Sequence, residues 1–149
     1  MSNVTTIQNG ILTRLATHLG STWSTLDYII DLSQNKFRRQ EKRYGVRALG
    51  SSQVEGRIHA ITQDQVFEVI LVHSYATTQK DDSDKVTKTL LLQDAVQTLY
   101  NDLVSNLCGA DGVVIHTFDL SIDEPDYLDT EKVVILRFSF TVKHHNVLT

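Results

Sequence analysis

Cysteine and proline each occur once in this 149-residue chain, as Cys108 and Pro125. A lone cysteine excludes an intramolecular disulfide and gives a cysteine-based zinc site no support. It is compatible with a reducing compartment. Long apolar runs are missing as well. None approaches the roughly 20 residues that a membrane helix needs, so no membrane partner is expected. The segment "MSNVTTIQNGILTRLATHLG" has no basic region ahead of an apolar one and does not read as a signal peptide. There is no internal repeat and no low-complexity tract. The chain also lacks H-E-x-x-H, G-x-S-x-G, a phosphate loop and G-x-G-x-x-G. The expectation is a non-enzyme, with no catalytic, cofactor-binding or metal residue.

What is present points to one domain, residues 1–149, with one core. Apolar residues make up 41% and charged residues 21%, ordinary for a globular chain. The charge is unevenly placed. From Lys36 to Arg47 there are six basic residues and one acidic, a net +5. The total is −4, so the remainder carries −9. Asp119 to Glu131 holds six acidic residues and no basic one. The chain is thus polarised between an early basic run and a late acidic one.

Periodicity supplies the elements. Ile7, Ile11, Leu12, Leu15 and Leu19 recur at helical spacing, predicting a helix over about Val4–Leu19 ended by Gly20. Gly10 lies inside it at a mild cost. "STLDYIIDL" (Ser24–Leu32) reads as a strand, and "SQNKFRRQEK" as a loop. In "KRYGVRALGSS", Tyr44, Val46 and Ala48 alternate with Arg43, Gly45 and Arg47, a strand with two arginines outward. Asp64–Thr77 is a strong strand, apolar on both faces. The best helix runs from about Ser83 to Leu107, with a wide stripe of Val86, Leu90, Val96, Leu99, Tyr100, Leu103, Val104 and Leu107. "CGADG" stops it, with Gly109 left-handed. Gly112–Ile122 and Lys132–His145 read as two strands joined in a hairpin by the acidic loop "DEPDYLDTE". This order predicts an α+β fold: a mostly antiparallel sheet with the N-terminal helix and one long helix packed on a face.

The candidate chemistry is thin. Asp119, Ser121 and Asp123 match the first ligand positions of a calcium loop, but its sixth position holds Glu124 and its twelfth Thr130, where glycine and glutamate are needed. His144 and His145 are adjacent, so on a strand they point to opposite faces. His73 reads as a hydrogen-bonded core histidine, and Cys108 as buried and inert. The basic run has few aromatics within an acidic domain, which does not favour sequence-specific DNA binding. The two charged segments read instead as docking elements: Arg38, Arg39, Lys42, Arg43 and Arg47 on one side, Asp123, Glu124, Asp126 and Asp129 on the other. Copies assembled head to tail would set one against the other.

The layout resembles the tail terminator, or tail-completion, proteins of long-tailed phages (the minor tail protein U type). The features that carry it are the helix "TTIQNGILTRLATHL", the basic "KRYGVRALG", the strand "VFEVILVHSYAT", the helix "VTKTLLLQDAVQTLYNDLV" and the late strand "KVVILRFSFTVKHHN". Together they span nearly the whole chain. The resemblance implies a hexameric ring in the virion, assembled in the host cytoplasm. The ring stacks on the tail tube protein, stops its polymerisation and meets the head-tail connector. DNA only passes through its lumen. The alternatives left open are a non-catalytic adaptor or neck protein and a small cytosolic enzyme.

Overall fold

A computed structural model describes residues 3–26, 42–56, 60–76, 83–129 and 132–147. The elements are α1 (Asn3–Leu19), β1 (Ser24–Thr25), β2 (Lys42–Gly56), β3 (Ala60–Ser74), α2 (Ser83–Ser105), a short 3-10 turn (Leu107–Gly109), β4 (Val114–Ile122), β5 (Asp126–Leu128) and β6 (Val133–Val147). The strands form one six-stranded sheet in the order β1-β2-β3-β6-β4, with β5 also paired to β6. Among the described strands only the β1–β2 contact is parallel; the others are antiparallel. The fold is α+β, with the helices on one face.

Alternation decides which face is which. Tyr44, Val46, Phe67, Val69, Leu71, Leu136, Phe138 and Phe140 point inward from β2, β3 and β6 into the main core. Ile7, Ile11 and Leu15 of α1 and Leu92, Val96, Leu99 and Leu103 of α2 cover them. These residues fall on one stripe of each helix, and burying the stripe is what holds the helices to the sheet. Phe140 lies 6.3 Å from Phe67 and 6.0 Å from Tyr100, ring centre to ring centre. The opposite face holds a second, small cluster of Leu26, Ile70, Val72, Val133 and Ile135. That explains why the third strand reads as apolar on both faces. Elsewhere this face is charged, with ion pairs Arg47–Glu68 at 3.0 Å and Lys143–Asp64 at 3.1 Å.

Two expectations need correction. Val86, Leu90 and Val104 are not core residues: they are 57%, 55% and 40% exposed. The buried line of α2 runs through Thr89, Leu92, Val96, Leu99 and Leu103, and at roughly 100° per residue the other three lie more than a quarter turn away. The acidic connection is not a plain hairpin loop, because β5 forms within it and pairs with Val133–Ile135. The strand expected at Ser24–Leu32 begins as expected with Ser24–Thr25, and residues 27–32 lie outside the described residues.

Gly10 has a structural purpose. A Cβ there would sit 2.3 Å from the carbonyl oxygen of Cys108, and one on Gly109 would sit 2.9 Å from that of Gly10. Helix and turn therefore meet backbone to backbone. The turn takes left-handed angles at Leu107, Cys108 and Gly109 (φ 50°, 54° and 68°).

Candidate functional site

The topology distributes the charged segments. Lys42, Arg43 and Arg47 lie on β2, next to the short β1 at one edge of the sheet. Asp123 and Glu124 follow β4, Asp126 lies in β5 and Asp129 just after it, all at the other edge. Arg38 and Arg39 lie outside the described residues. Among the described residues the structure thus does not bring members of the two groups together within one chain. β3 and β6 lie between them, so the edges stand three strand spacings apart, roughly 14 Å at about 4.8 Å each. That exceeds the Debye length of about 8 Å at physiological salt. The edges therefore do little to neutralise each other.

Some of these charges are engaged locally. Arg47 pairs with Glu68, and the Arg43 guanidinium donates to the Thr25 carbonyl at 2.8 Å, tying β1 to β2. Asp129 accepts from the Tyr75 hydroxyl at 2.6 Å and from Lys85 Nζ at 3.0 Å. The Tyr75 hydrogen bond, followed by that from Lys85, holds the Asp129 carboxyl below its ordinary range. Lys85 also lies 4.4 Å from the centre of the Tyr127 ring. This packing closes the acidic connection onto the start of α2. Asp126 is 3.8 Å from Arg137. Asp123 and Glu124 are exposed, with no side-chain partner among the described residues. Of the four acidic candidates, these are the two whose charge no described side chain engages.

An apolar component accompanies the acidic edge. Ile122 (48% exposed) and Tyr127 (37%) belong to β4 and β5. The Tyr127 hydroxyl lies 3.0 Å from Thr89 Oγ1 of α2. Val86 and Leu90, the neighbours of Thr89 along the helix, project on the flank turned away from α1. The other flank is fixed on α1 by Asp102, which accepts two hydrogen bonds from Arg14 at 2.9 and 2.6 Å. His18 Nε2 approaches the same carboxylate to 2.9 Å. The Arg14 hydrogen bond holds Asp102 below the ordinary carboxylate range. The apolar flank is legible in the sequence as hydrophobic residues, but periodicity alone assigns them to the core.

The remaining candidates behave as structural groups. His73 is buried, its Nδ1–H donating to the Ser74 carbonyl at 2.7 Å and its ring edge-on to Trp23. Burial lowers its pKa. Cys108 is fully buried, with Sγ 3.3 Å from Thr117 Oγ1, and burial pushes its thiol up to about 11. His144 is fully buried and His145 exposed, on opposite faces as the spacing requires. Among the described residues no three His, Cys, Asp or Glu side chains gather as a metal group, and no helix is long and apolar enough to cross a membrane. The chain matches no protein-family model and no curated protein.

Proposed function

We propose that this chain is a structural virion protein of the tail-terminator type. Copies form a ring, hexameric by the resemblance, that caps the phage tail tube, ends its polymerisation and presents a surface to the head-tail connector. The chain acts through interfaces and not as an enzyme; DNA passes through the lumen without being read. The observation that supports the reading is that, among the described residues, Lys42, Arg43 and Arg47 lie toward one edge of the sheet and Asp123, Glu124, Asp126 and Asp129 at the other. A subunit with complementary opposite edges is suited to head-to-tail contact, and such contacts close into rings when the rotation between neighbours divides a full turn. The α+β architecture puts both helices on one face, and among the described residues the opposite face carries charge as well as a small apolar cluster.

Native mass spectrometry tests this. A ring is expected near six times 16.8 kDa, either in solution or once tail tubes are added. A stable monomer that binds a small metabolite and ignores tubes would overturn it.

A further inference from the structure

Resting on the ring reading, we infer which surfaces meet: the acidic edge of one copy takes the basic β2 edge of the next, side chain to side chain around an apolar centre. The contact does not continue the sheet from one copy to the next. The edge strand β4 is bulged, and so is β2, whose outer side is paired to β1 only at Arg43 and Tyr44 among the described residues. β4 breaks register between Val114 and His116 and again between Phe118 and Ser121. β2 breaks between Ala48 and Ser51 and between Gln53 and Glu55. Bulges twist an edge and interrupt its ladder, so neither edge offers a long run of backbone donors and acceptors.

What the edges do offer is side chains. On the acidic side, Ile122 (48% exposed) directly precedes Asp123 and Glu124, and Tyr127 (37%) follows them in β5. On the basic side, Leu49 (40% exposed) shares β2 with Lys42, Arg43 and Arg47. Exposed apolar residues bordered by charge are the composition of a protein–protein contact, dry in the centre and polar at the rim.

The occupant is a second copy because charge selects it. A two-fold contact through the acidic edge would set Asp123 and Glu124 against themselves, and one through the basic edge would do the same to the cations. Like charges across an interface are unfavourable. A head-to-tail contact pairs opposite signs instead. Strand direction permits it: β2 and β6 run one way, β3 and β4 the other. A neighbour in the same orientation therefore lays its β2 antiparallel to β4.

Cysteine cross-linking tests the geometry, because Cys108 is buried and stays silent. Leu49→Cys and Ile122→Cys chains are made separately and treated with a short bis-maleimide, alone and mixed. The expected result is a covalent dimer in the mixture at least ten times more abundant than in either variant alone. Dimers from the Ile122→Cys chain alone, or no dimer while the untreated protein has the mass of a ring, overturn this contact and leave the ring reading standing. Mixed dimers from a protein whose mass is that of open chains keep the contact and overturn the ring. Absence of both cross-link and oligomer, in solution and with tail tubes added, overturns both. As a second measurement, the double variant Asp123→Lys/Glu124→Lys is expected to raise the concentration needed for assembly at least tenfold. Adding Lys42→Glu and Arg43→Glu to the same chain restores it. Failure of the restoration, in chains whose thermal melts show them folded, overturns the pairing.

Discussion

Replacing Gly10 by alanine sets two effects of known sign against each other. Alanine in a helix interior is favoured over glycine by about 1 kcal/mol, so propensity alone predicts stabilisation. The packing predicts the opposite. The new Cβ would lie 2.3 Å from the carbonyl oxygen of Cys108 and 3.1 Å from the carbonyl carbon of Gly109, whereas such contacts are comfortable at roughly 3.5 Å. Both obstacles are backbone, so neither can swing aside by changing rotamer. The 3-10 turn must retreat from α1 by about 1 Å, which loosens Cys108 and its contact with Thr117. Overpacking of this kind costs about 1–3 kcal/mol, and the forced separation places this case at the upper end. The net expectation is a loss of about 1–2 kcal/mol. For a chain of this length each kcal/mol moves the melting temperature by about 2–4 °C. Thermal and urea unfolding followed by circular dichroism should therefore show a fall of about 2–8 °C, with the urea slope unchanged. Gly50→Ala is the control, since a Cβ there meets nothing within 4 Å; it should change stability by less than about 0.5 kcal/mol. A Gly10→Ala protein that melts at or above the parent temperature would refute the backbone contact.

Gln65 is buried, and its Nε2 donates to the carbonyls of Leu49 at 2.9 Å, Gly50 at 3.2 Å and Val66 at 2.9 Å. Gln65→Leu strips the donor from the bulge in β2 and should cost about 1–3 kcal/mol in urea unfolding, with faster amide exchange around residues 48–51. Asp102 has a folded pKa below its unfolded value, so the stability it contributes is present above about pH 4. That stability is lost as pH falls through the folded value. The acid limb of a stability–pH curve should flatten in Asp102→Asn. His73 also has a lowered folded pKa, so its contribution is present above about pH 6.5 and fades as pH falls below that. Stability should decline from pH 7 toward pH 5, less so in His73→Gln. Cys108 should resist alkylation in the native protein at pH 8 and react at the rate of a free thiol in 6–8 M urea, a reagent range in which most domains unfold.

The elements with strict periodicity were legible from the chain alone. The alternation of Tyr44, Val46 and Ala48 with Arg43 and Arg47, and of Val134 to Val142 with Arg137 to Lys143, places each residue on its observed face. Gly20 and Gly109 end their segments with positive φ as expected. What escaped were features decided by neighbours distant in sequence. A helical stripe that includes Val86, Leu90 and Val104 is wide enough to be read as core. Only the side on which α1 lies, fixed by Arg14 and Asp102, shows that three of its members face outward. β5 has too few residues to carry a period; β6 templates it. Gly10 looked like a cost because its benefit, room for Cys108 and Gly109, lies about a hundred residues away. The charged segments were visible as runs, but their placement at opposite edges follows from strand order, which composition does not encode.

The proposed ring at the end of a tail tube is tested most directly by electron microscopy of phage tail tubes polymerised with and without the protein. Tubes of uncontrolled length are expected in its absence. In its presence, one end of each tube should carry an added ring, and growth from that end should stop. Tubes that keep growing with no added density at either end would contradict it.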